Sequence, residues 1–223
     1  MKMSSTSKPS GALSRPGRRR EEARALFRNA ILESAEAVFG ERGFHAARIQ
    51  DIAKRAGVGV GTVYNHFEQK EDVFRALIDE RTEGMLATLA PLAADETRFA
   101  AALEARIGRL LGYVEQHRGL FQIVMTLGLS ADSDAQAAKE LCGKSVKRIE
   151  RMRAAFREIV EAGIASGDLA ANDPADLAAF LAGAIRSLIF PHLLAGAPLV
   201  PRARLIVALF LGGAGSSPRR RSP

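Results

Sequence analysis

The sequence has few of the residues on which disulfide, metal and redox chemistry depend. Its 223 residues contain one cysteine, Cys142, so an internal disulfide bond is excluded. Cys142 is either a thiol that senses oxidants or an ordinary small side chain, and the lack of a resolving cysteine favours the second interpretation. The histidines and the cysteine are not spaced like metal ligands, so we expect neither a metal site nor a cofactor.

Long apolar runs and recognisable catalytic patterns are also missing. No run approaches the roughly 18 apolar residues of a membrane span, and the basic N-terminus is not followed by the apolar segment of a signal peptide. We therefore expect a soluble cytoplasmic protein that does not bind membranes. No Ser/His/Asp, Cys/His or paired-carboxylate arrangement has a recognisable context, and no GxxxxGK[ST] phosphate loop is present, so an enzyme is not expected.

What the sequence does contain is typical of helices. Hydrophobic residues make up 47% of the chain and charged residues 26%, while β-branched runs and alternating patterns are scarce. This composition predicts an all-α protein. The net charge of +7 is consistent with a nucleic-acid partner but is a weak signal by itself.

Residues 48–71 read as two short helices joined by a glycine. Apolar residues recur at i, i+3, i+4 and i+7 over residues 49–56, which is one face of a helix. Gly57 follows and can adopt the positive φ that ends a helix. Val60, Val63 and Phe67 then begin a second apolar face. This spacing is typical of a helix-turn-helix, whose second helix enters the DNA major groove.

The outer face of the second helix carries groups that suit DNA. Gly59 and Gly61 have no side chain, so backbone N–H groups at the helix start can approach a phosphate closely. Thr62, Tyr64 and His66 offer hydrogen-bond donors for phosphate oxygens, and Thr62 can instead reach a base edge.

The run DIAKRAGVGVGTVYNHFEQKEDVF resembles the DNA-binding domain of the TetR family of transcriptional regulators. The resemblance implies a homodimer with an N-terminal three-helix DNA-binding domain and a larger helical domain that binds a small-molecule effector. It also implies a regulator, expected to be a repressor, that leaves a pseudo-palindromic operator when the effector binds. The alternative is a helical DNA-binding or interaction protein that needs no effector.

Three residues depart from the family pattern. The TetR family usually has a threonine near the position of Arg48. Arginine can bind a phosphate but cannot cap the helix. Gly59 replaces a frequent serine, and Val60 replaces a polar residue, so Val60 can contact a thymine methyl but cannot hydrogen-bond a base. The full set of predicted DNA-binding residues is Arg48, Gly59, Val60, Gly61, Thr62, Tyr64, Asn65, His66 and Lys70.

Composition and helix boundaries divide the chain into four segments. Residues 1–20 are predicted to be a disordered basic tail, which is either solvated or an arm that reaches DNA. Residues 21–68 are predicted to form the helix-turn-helix domain, and Arg24 and Arg28 of its first helix either contact phosphate or form a solvated face. Residues 69–212 are predicted to form the helical effector-binding and dimerisation domain. Residues 213–223 are predicted to be a second disordered basic tail.

An effector cavity in the second domain is expected from the resemblance and not from periodicity. Each candidate lining residue is also a plausible core residue, because helical cores ordinarily contain Met and Phe at this spacing. His117 and His192 are either effector contacts or surface residues beside helix ends. The seven candidate lining residues are Phe99, Leu103, Leu110, Phe121, Met125, Phe156 and Phe180.

The last two helices, which begin near Pro174 and Pro201, are the predicted dimer surface. The final helix is apolar on nearly all sides and must be buried, either in a dimer or inside the monomer. A two-fold dimer would place two recognition helices about 34–36 Å apart, which matches a pseudo-palindromic operator. The predicted interface residues are Leu177, Phe180, Leu181, Ala184, Leu188, Leu205 and Leu209.

Overall fold

A computed structural model describes residues 15–90, 98–129 and 146–214. The regular structure in these ranges is helical and includes no β-strand, which confirms the all-α class. The helices are α1 (Arg15–Ala46), α2 (Ile49–Ala56), α3 (Val60–Tyr64), α4 (Lys70–Thr88), α5 (Phe99–Gln116), α6 (Arg118–Leu129), α7 (Val146–Ala165), α8 (Pro174–Leu194) and α9 (Ala203–Ala214), with a 3-10 turn at Val200–Arg202. Cys142 and most of the two predicted tails lie outside the described residues.

Both predicted tail boundaries differ from the structure. Helix α1 begins at Arg15, so residues 15–20 are helical and not disordered as expected. Helix α9 continues to Ala214, and it includes the two glycines at which the second tail was predicted to begin. At the other end of α1, Gly43 has φ 74° and ψ 167°, a conformation that glycine adopts readily, and the helix is interrupted there.

The first core joins α1, α2, α3 and α4. The ring of Phe39 in α1 meets the ring of Phe74 in α4 edge-on at 5.2 Å, and Phe44 lies 4.8 Å from Phe74. Leu120 of α6 is buried in the same core. The first core therefore includes a residue from the predicted second domain.

The second core lies among α4, α5, α7, α8 and α9. Helix α8 begins as the sequence predicts: the Asp173 carboxylate accepts a hydrogen bond from the N–H of Ala175 at 2.7 Å, and Pro174 occupies the first turn. Ion pairs from Arg148 to Asp79 and from Arg151 to Glu83 tie α7 to α4 at its surface.

Helix α8 is also long and apolar enough to cross a membrane by length and composition, with a mean hydropathy of 1.7. The segment contains Asp176 and Arg186, so it is not the uninterrupted apolar run that the sequence analysis considered. A core helix passes the same test, and α8 buries Leu181, Ile185 and Ile189 in the second core.

Helices α1 and α6 cross where two glycines meet. A Cβ atom added to Gly119 would lie 2.9 Å from the Cα of Gly40, whereas one added to Gly40 would lie 3.5 Å from the Cα of Gly119. One turn before Gly40, the Glu36 carboxylate lies 2.6 Å from Nδ1 of His117 and accepts a hydrogen bond from Arg81 at 2.8 Å. These contacts, which we call the α1–α6 junction, connect the first core to the second domain.

Candidate nucleic-acid interface

Helix α3 presents the predicted outer face to solvent. Val63 is fully buried and Phe67 nearly so, which fixes the orientation of the helix on the first core. On the opposite side Tyr64 is 50% exposed, and Asn65 is exposed at the end of the helix. Thr62 is half-buried beside them. The arrangement leaves hydroxyl and amide groups free to meet DNA.

Helix α2 is positioned by α1 for its role in the helix-turn-helix. Gly57 ends it with φ 67°, as predicted, and turns the chain toward α3. On its outer side Asp51 pairs with Arg42 at 2.8 Å and Arg55 pairs with Glu41 at 2.6 Å. Such exposed pairs contribute at most about 1 kcal/mol each, so the buried residues of α2 and α3 hold the motif in place.

The two predicted phosphate-facing glycines have open space in front of them. A Cβ on Gly61 would meet nothing within 4 Å, and one on Gly59 would meet only the Thr62 hydroxyl at 3.8 Å. Both residues are exposed at the start of α3. No internal packing among the described residues requires them to be glycine, so the space remains available to a partner.

Arg48 is placed as its prediction requires, whereas Val60 is only partly available for its predicted contact. Arg48 is exposed and precedes α2 in an extended conformation, and its side chain does not cap the helix, as its residue type predicts. Val60 is half-buried and packs against the edge of the first core. The predicted thymine contact therefore rests on the exposed part of the Val60 side chain alone.

Lys70 corrects the sequence prediction most clearly. Its ammonium donates to the backbone carbonyls of Phe44, His45 and Ala47 at 2.8, 3.2 and 3.1 Å. An ammonium has three protons, and all three are used here on carbonyl oxygens where the chain leaves α1. The structure therefore assigns Lys70 to joining α1 and α4 and not to binding phosphate. Its place in the first turn of α4, where a cation opposes the helix dipole, was the signal in the sequence.

His66 lies beside two arginines of α1. Burial lowers the pKa of His66 below its ordinary value, and the charges of Arg24 and Arg28 lower it further. The guanidinium of Arg28 also lies 5.9 Å from the centre of the Phe67 ring and pairs with Glu80 at 3.3 Å. The basic side of α1 is therefore continuous with the end of α3.

The predicted effector residues are core residues or surface residues. Leu103, Leu110 and Phe156 are buried in the second core. Phe99, Phe121 and Met125 are half-buried against it. Phe180 is 59% exposed on α8, so it does not line a cavity.

The two candidate histidines have partners within the chain. His117 contacts Glu36 in the α1–α6 junction, and the Nδ1 atom of His192 lies 3.0 Å from the carbonyl oxygen of Leu188. Neither contact involves a cavity.

A cleft of about 370 Å³ opens between α4, α5 and α7, and none of the predicted effector residues lines it. Leu86, Leu89 and Ile159 provide apolar walls, and Arg106 and Glu158 are among the polar lining residues. The buried Nε atom of Arg106 has no hydrogen-bond partner among the described residues. Sequence reasoning missed Arg106, although an arginine placed among Leu103, Ile107 and Leu110 was a detectable signal.

A second cleft, of about 670 Å³, lies between α5 and the start of α9. It is lined mainly by small side chains such as Ala101, Ala105 and Ala203.

The predicted dimer residues divide into two groups. Leu181 is fully buried in the second core, so its assignment to the interface is corrected. Phe180, Leu205 and Leu209 are 59%, 43% and 58% exposed on the outer side of α8 and α9. Leu177, Ala184 and Leu188 are half-buried, so their exposure is intermediate between those of the two groups.

These features define a helix-turn-helix protein with a helical second domain, and comparison with known proteins agrees. The family model described as "Bacterial regulatory proteins, tetR family" matches residues 31–77, which cover the second half of α1, all of α2 and α3, and the first part of α4. Residues 31–77 therefore carry the DNA-binding region typical of the TetR family of regulatory proteins. The resemblance inferred from the sequence is thereby confirmed.

Individual relatives match over different lengths. The chain is 28% identical over 123 residues to the transcriptional activator FasR of Mycolicibacterium smegmatis, covering 53% of this chain and 56% of the relative. It is 46% identical over 61 residues to the transcriptional repressor BepR of Brucella suis, covering 27% and 29%. The chain thus spans about half of the first relative and less than a third of the second.

The fold is shared over most of the chain. The crystal structure of the Bacillus subtilis transcriptional regulator FadR in complex with stearoyl-CoA has a TM-score of 0.68 and 20% identity, covering 83% of this chain and 98% of that one. At this identity the likeness shows the fold alone.

Proposed function

We propose that the protein is a DNA-binding transcriptional regulator of the cytoplasm. The observation that carries the proposal is the orientation of α3: Val63 and Phe67 are buried, while Gly61, Tyr64 and Asn65 face solvent. A short helix held in this way can enter the major groove with its polar side toward the bases and phosphates. The family match to residues 31–77 supports the same function.

We further propose that the active form is a homodimer joined through α8 and α9. The exposed apolar residues Phe180, Leu205 and Leu209 lie on these two helices, and the Phe180 ring stacks on the buried Phe210 at 6.3 Å. Burying this surface against a second copy would remove three large apolar side chains from water, at roughly 25 cal/mol per Å². A two-fold dimer presents its two α3 helices to two half-sites.

The effector site that we propose is the cleft between α4, α5 and α7. Its volume of about 370 Å³ falls within the usual range for small-molecule sites. Apolar walls beside the unpartnered Nε of Arg106 suit an amphipathic molecule with an acceptor or anionic group. The stearoyl-CoA in the Bacillus subtilis FadR structure is a molecule of this kind.

The proposed mechanism is release of DNA by the effector, so the protein would act as a repressor. Helix α4 contributes Phe74 to the first core and Leu86 to the cleft, so a ligand that displaces α4 also displaces the DNA-binding domain. By linkage, effector and DNA then weaken each other's binding by the same factor.

Selection of binding sites from a random duplex pool tests the DNA-binding proposal. We expect a consensus of two inverted half-sites with centres about 10 bp apart. No enrichment over random sequence would contradict the proposal. Transcription in vitro from a promoter that contains the selected site then separates repression from activation.

A matched pair of amphiphiles tests the effector proposal. Dodecanoate and dodecanol share the chain and differ in the carboxylate, so dodecanoate should stabilise the protein more against heat, and Arg106→Gln should abolish that difference. Arg157→Gln, an exposed arginine of α7 outside the cleft, serves as the control. Binding that leaves operator affinity unchanged would favour an effector-independent DNA-binding protein.

A further inference from the structure

The first part of α1 lies outside the packed body of the protein. Residues 18–27 are all exposed, and burial in the first core begins at Ile31. This part of α1 continues from the packed part of the helix but gains no stability from burial itself, and most helical stability in proteins comes from packing. The segment therefore gains from a partner that contacts its exposed side.

The charge of this segment limits the kind of partner. Residues 18–28 contain five arginines and two glutamates, all on one short stretch of α1. Arg20, Arg24 and Arg28 are spaced four residues apart and share one face, which we call the arginine face. Arg28 pairs with Glu80 at 3.3 Å, whereas Arg20 and Arg24 have no acidic partner among the described residues. The unpaired part of the face is complementary to a polyanion.

The arginine face is next to the helix-turn-helix. Arg28 lies against the Phe67 ring that follows α3, and Arg24 acts electrostatically on His66. Four residues of helix advance about 6 Å, close to the roughly 6.8 Å that two base-pair steps rise along the DNA axis. Successive arginines of the face can therefore meet phosphates of a single strand.

We propose that Arg20 and Arg24 form a second DNA contact, which binds the phosphate backbone beside the groove that α3 enters. The inference rests on the proposed function and extends it beyond the helix-turn-helix. The contact adds affinity for any duplex and carries no base specificity, because guanidinium groups on phosphates do not read the sequence. It is formed by residues of the described helix and does not require the tail that precedes it.

The salt dependence of DNA binding tests the proposal. The full chain and the double variant Arg20→Gln, Arg24→Gln are titrated by fluorescence anisotropy, at several salt concentrations, on the selected operator and on a random duplex. The control variant is Arg153→Gln, Arg157→Gln, which removes two exposed arginines of α7 and changes the net charge equally. Circular dichroism verifies that all three proteins are folded.

We expect the arginine-face variant to lower the slope of log affinity against log salt by about 1.8, since each phosphate contact contributes about 0.9. Affinity for both duplexes should fall by the same factor, so their ratio stays unchanged, and the control should keep the wild-type slope. An unchanged slope, or an equal loss in the control, overturns the proposal. Loss of binding to anionic lipid vesicles with an unchanged DNA slope overturns it in favour of a membrane contact. A wild-type protein that binds neither duplex contradicts the proposed function itself, which is a distinct outcome.

Discussion

The ammonium of Lys70 lies 2.8 Å from the carbonyl oxygen of Phe44 and 4.6 Å from the centre of the Phe44 ring. The same cation therefore satisfies a backbone acceptor at the end of α1 and lies over an aromatic face of the first core. This relationship anchors the start of α4 to the DNA-binding domain.

Removing that anchor should affect stability and not DNA contacts. We expect Lys70→Ala to lower the free energy of unfolding by about 2 kcal/mol, because hydrogen bonds from a charged donor are lost and carbonyl groups are left unpaired. The salt slope of DNA binding should be unchanged. Urea denaturation and anisotropy measure the two quantities, with the exposed Lys54→Ala as a control for lost charge. If the salt slope fell by about 0.9 and stability were unchanged, Lys70 would instead be a phosphate contact.

The contact between Gly40 and Gly119 predicts an asymmetric pair of substitutions. Gly119→Ala should destabilise the protein by about 1–3 kcal/mol, because the new Cβ would lie 2.9 Å from the backbone of Gly40 and force the helices apart. Gly40→Ala should be neutral or slightly stabilising, since its Cβ has ordinary contact at 3.5 Å. Thermal unfolding measures both variants. Equal effects of the two substitutions would mean that the α1–α6 junction is not closely packed.

The Glu36 carboxylate predicts energetic coupling across the same junction. The side chains of Glu36, Arg81 and His117 are 16%, 14% and 13% exposed, so removing one partner leaves a largely buried polar group. Glu36→Ala should cost about 3 kcal/mol of unfolding free energy. A double-mutant cycle with His117→Ala should give a coupling energy between about 0.5 and 3 kcal/mol. Simple additivity of the two variants would contradict a direct interaction.

His66 predicts a pH dependence of DNA binding. In the free protein the pKa of His66 is below 6.5, because burial first, and then Arg24 and Arg28, disfavour the charged ring. A depressed pKa in the folded state means that its contribution to folding stability is complete above about pH 6.5 and is lost as the pH falls through the folded-state pKa. Phosphates at the interface would favour the charged ring, so DNA binding takes up a proton.

Affinity for the operator should therefore rise as the pH falls from about 7.5 to 5.5, and His66→Gln should weaken that rise. His45→Gln, an exposed histidine next to the first core, controls for general charge. An identical pH profile in wild type and His66→Gln would show that His66 does not contact DNA.

The sequence predicted those parts of the fold that depend on local patterns. The apolar spacing of Ile49, Ile52 and Ala53 and the positive φ of Gly57 gave α2 and its end correctly. The inward orientation of Val63 and Phe67 followed from the same periodicity. These features depend on residues that are close together in the chain, so they can be predicted from one sequence alone.

Apart from the two tail boundaries, the errors concern which distant surface meets a given side chain. Periodicity shows that Leu181 and Phe180 lie on an apolar helix, but it does not tell which of them faces the core and which faces outward. The polar contacts of Lys70 and Glu36 join residues far apart in sequence, so a local pattern does not identify the partners of either side chain. The position of Arg106 at a cleft depends likewise on how α4, α5 and α7 pack.

Anisotropy of the full chain on its selected operator, compared with Tyr64→Ala, tests the central claim most directly. Tyr64 is half exposed on α3 and is not one of the residues of the first core, so its removal should leave the fold intact. The account predicts tight, salt-dependent binding that Tyr64→Ala weakens by about tenfold or more, with an unchanged salt slope because the lost contact is neutral. Wild-type affinity in a folded Tyr64→Ala protein would contradict the claim that α3 is the DNA-reading helix.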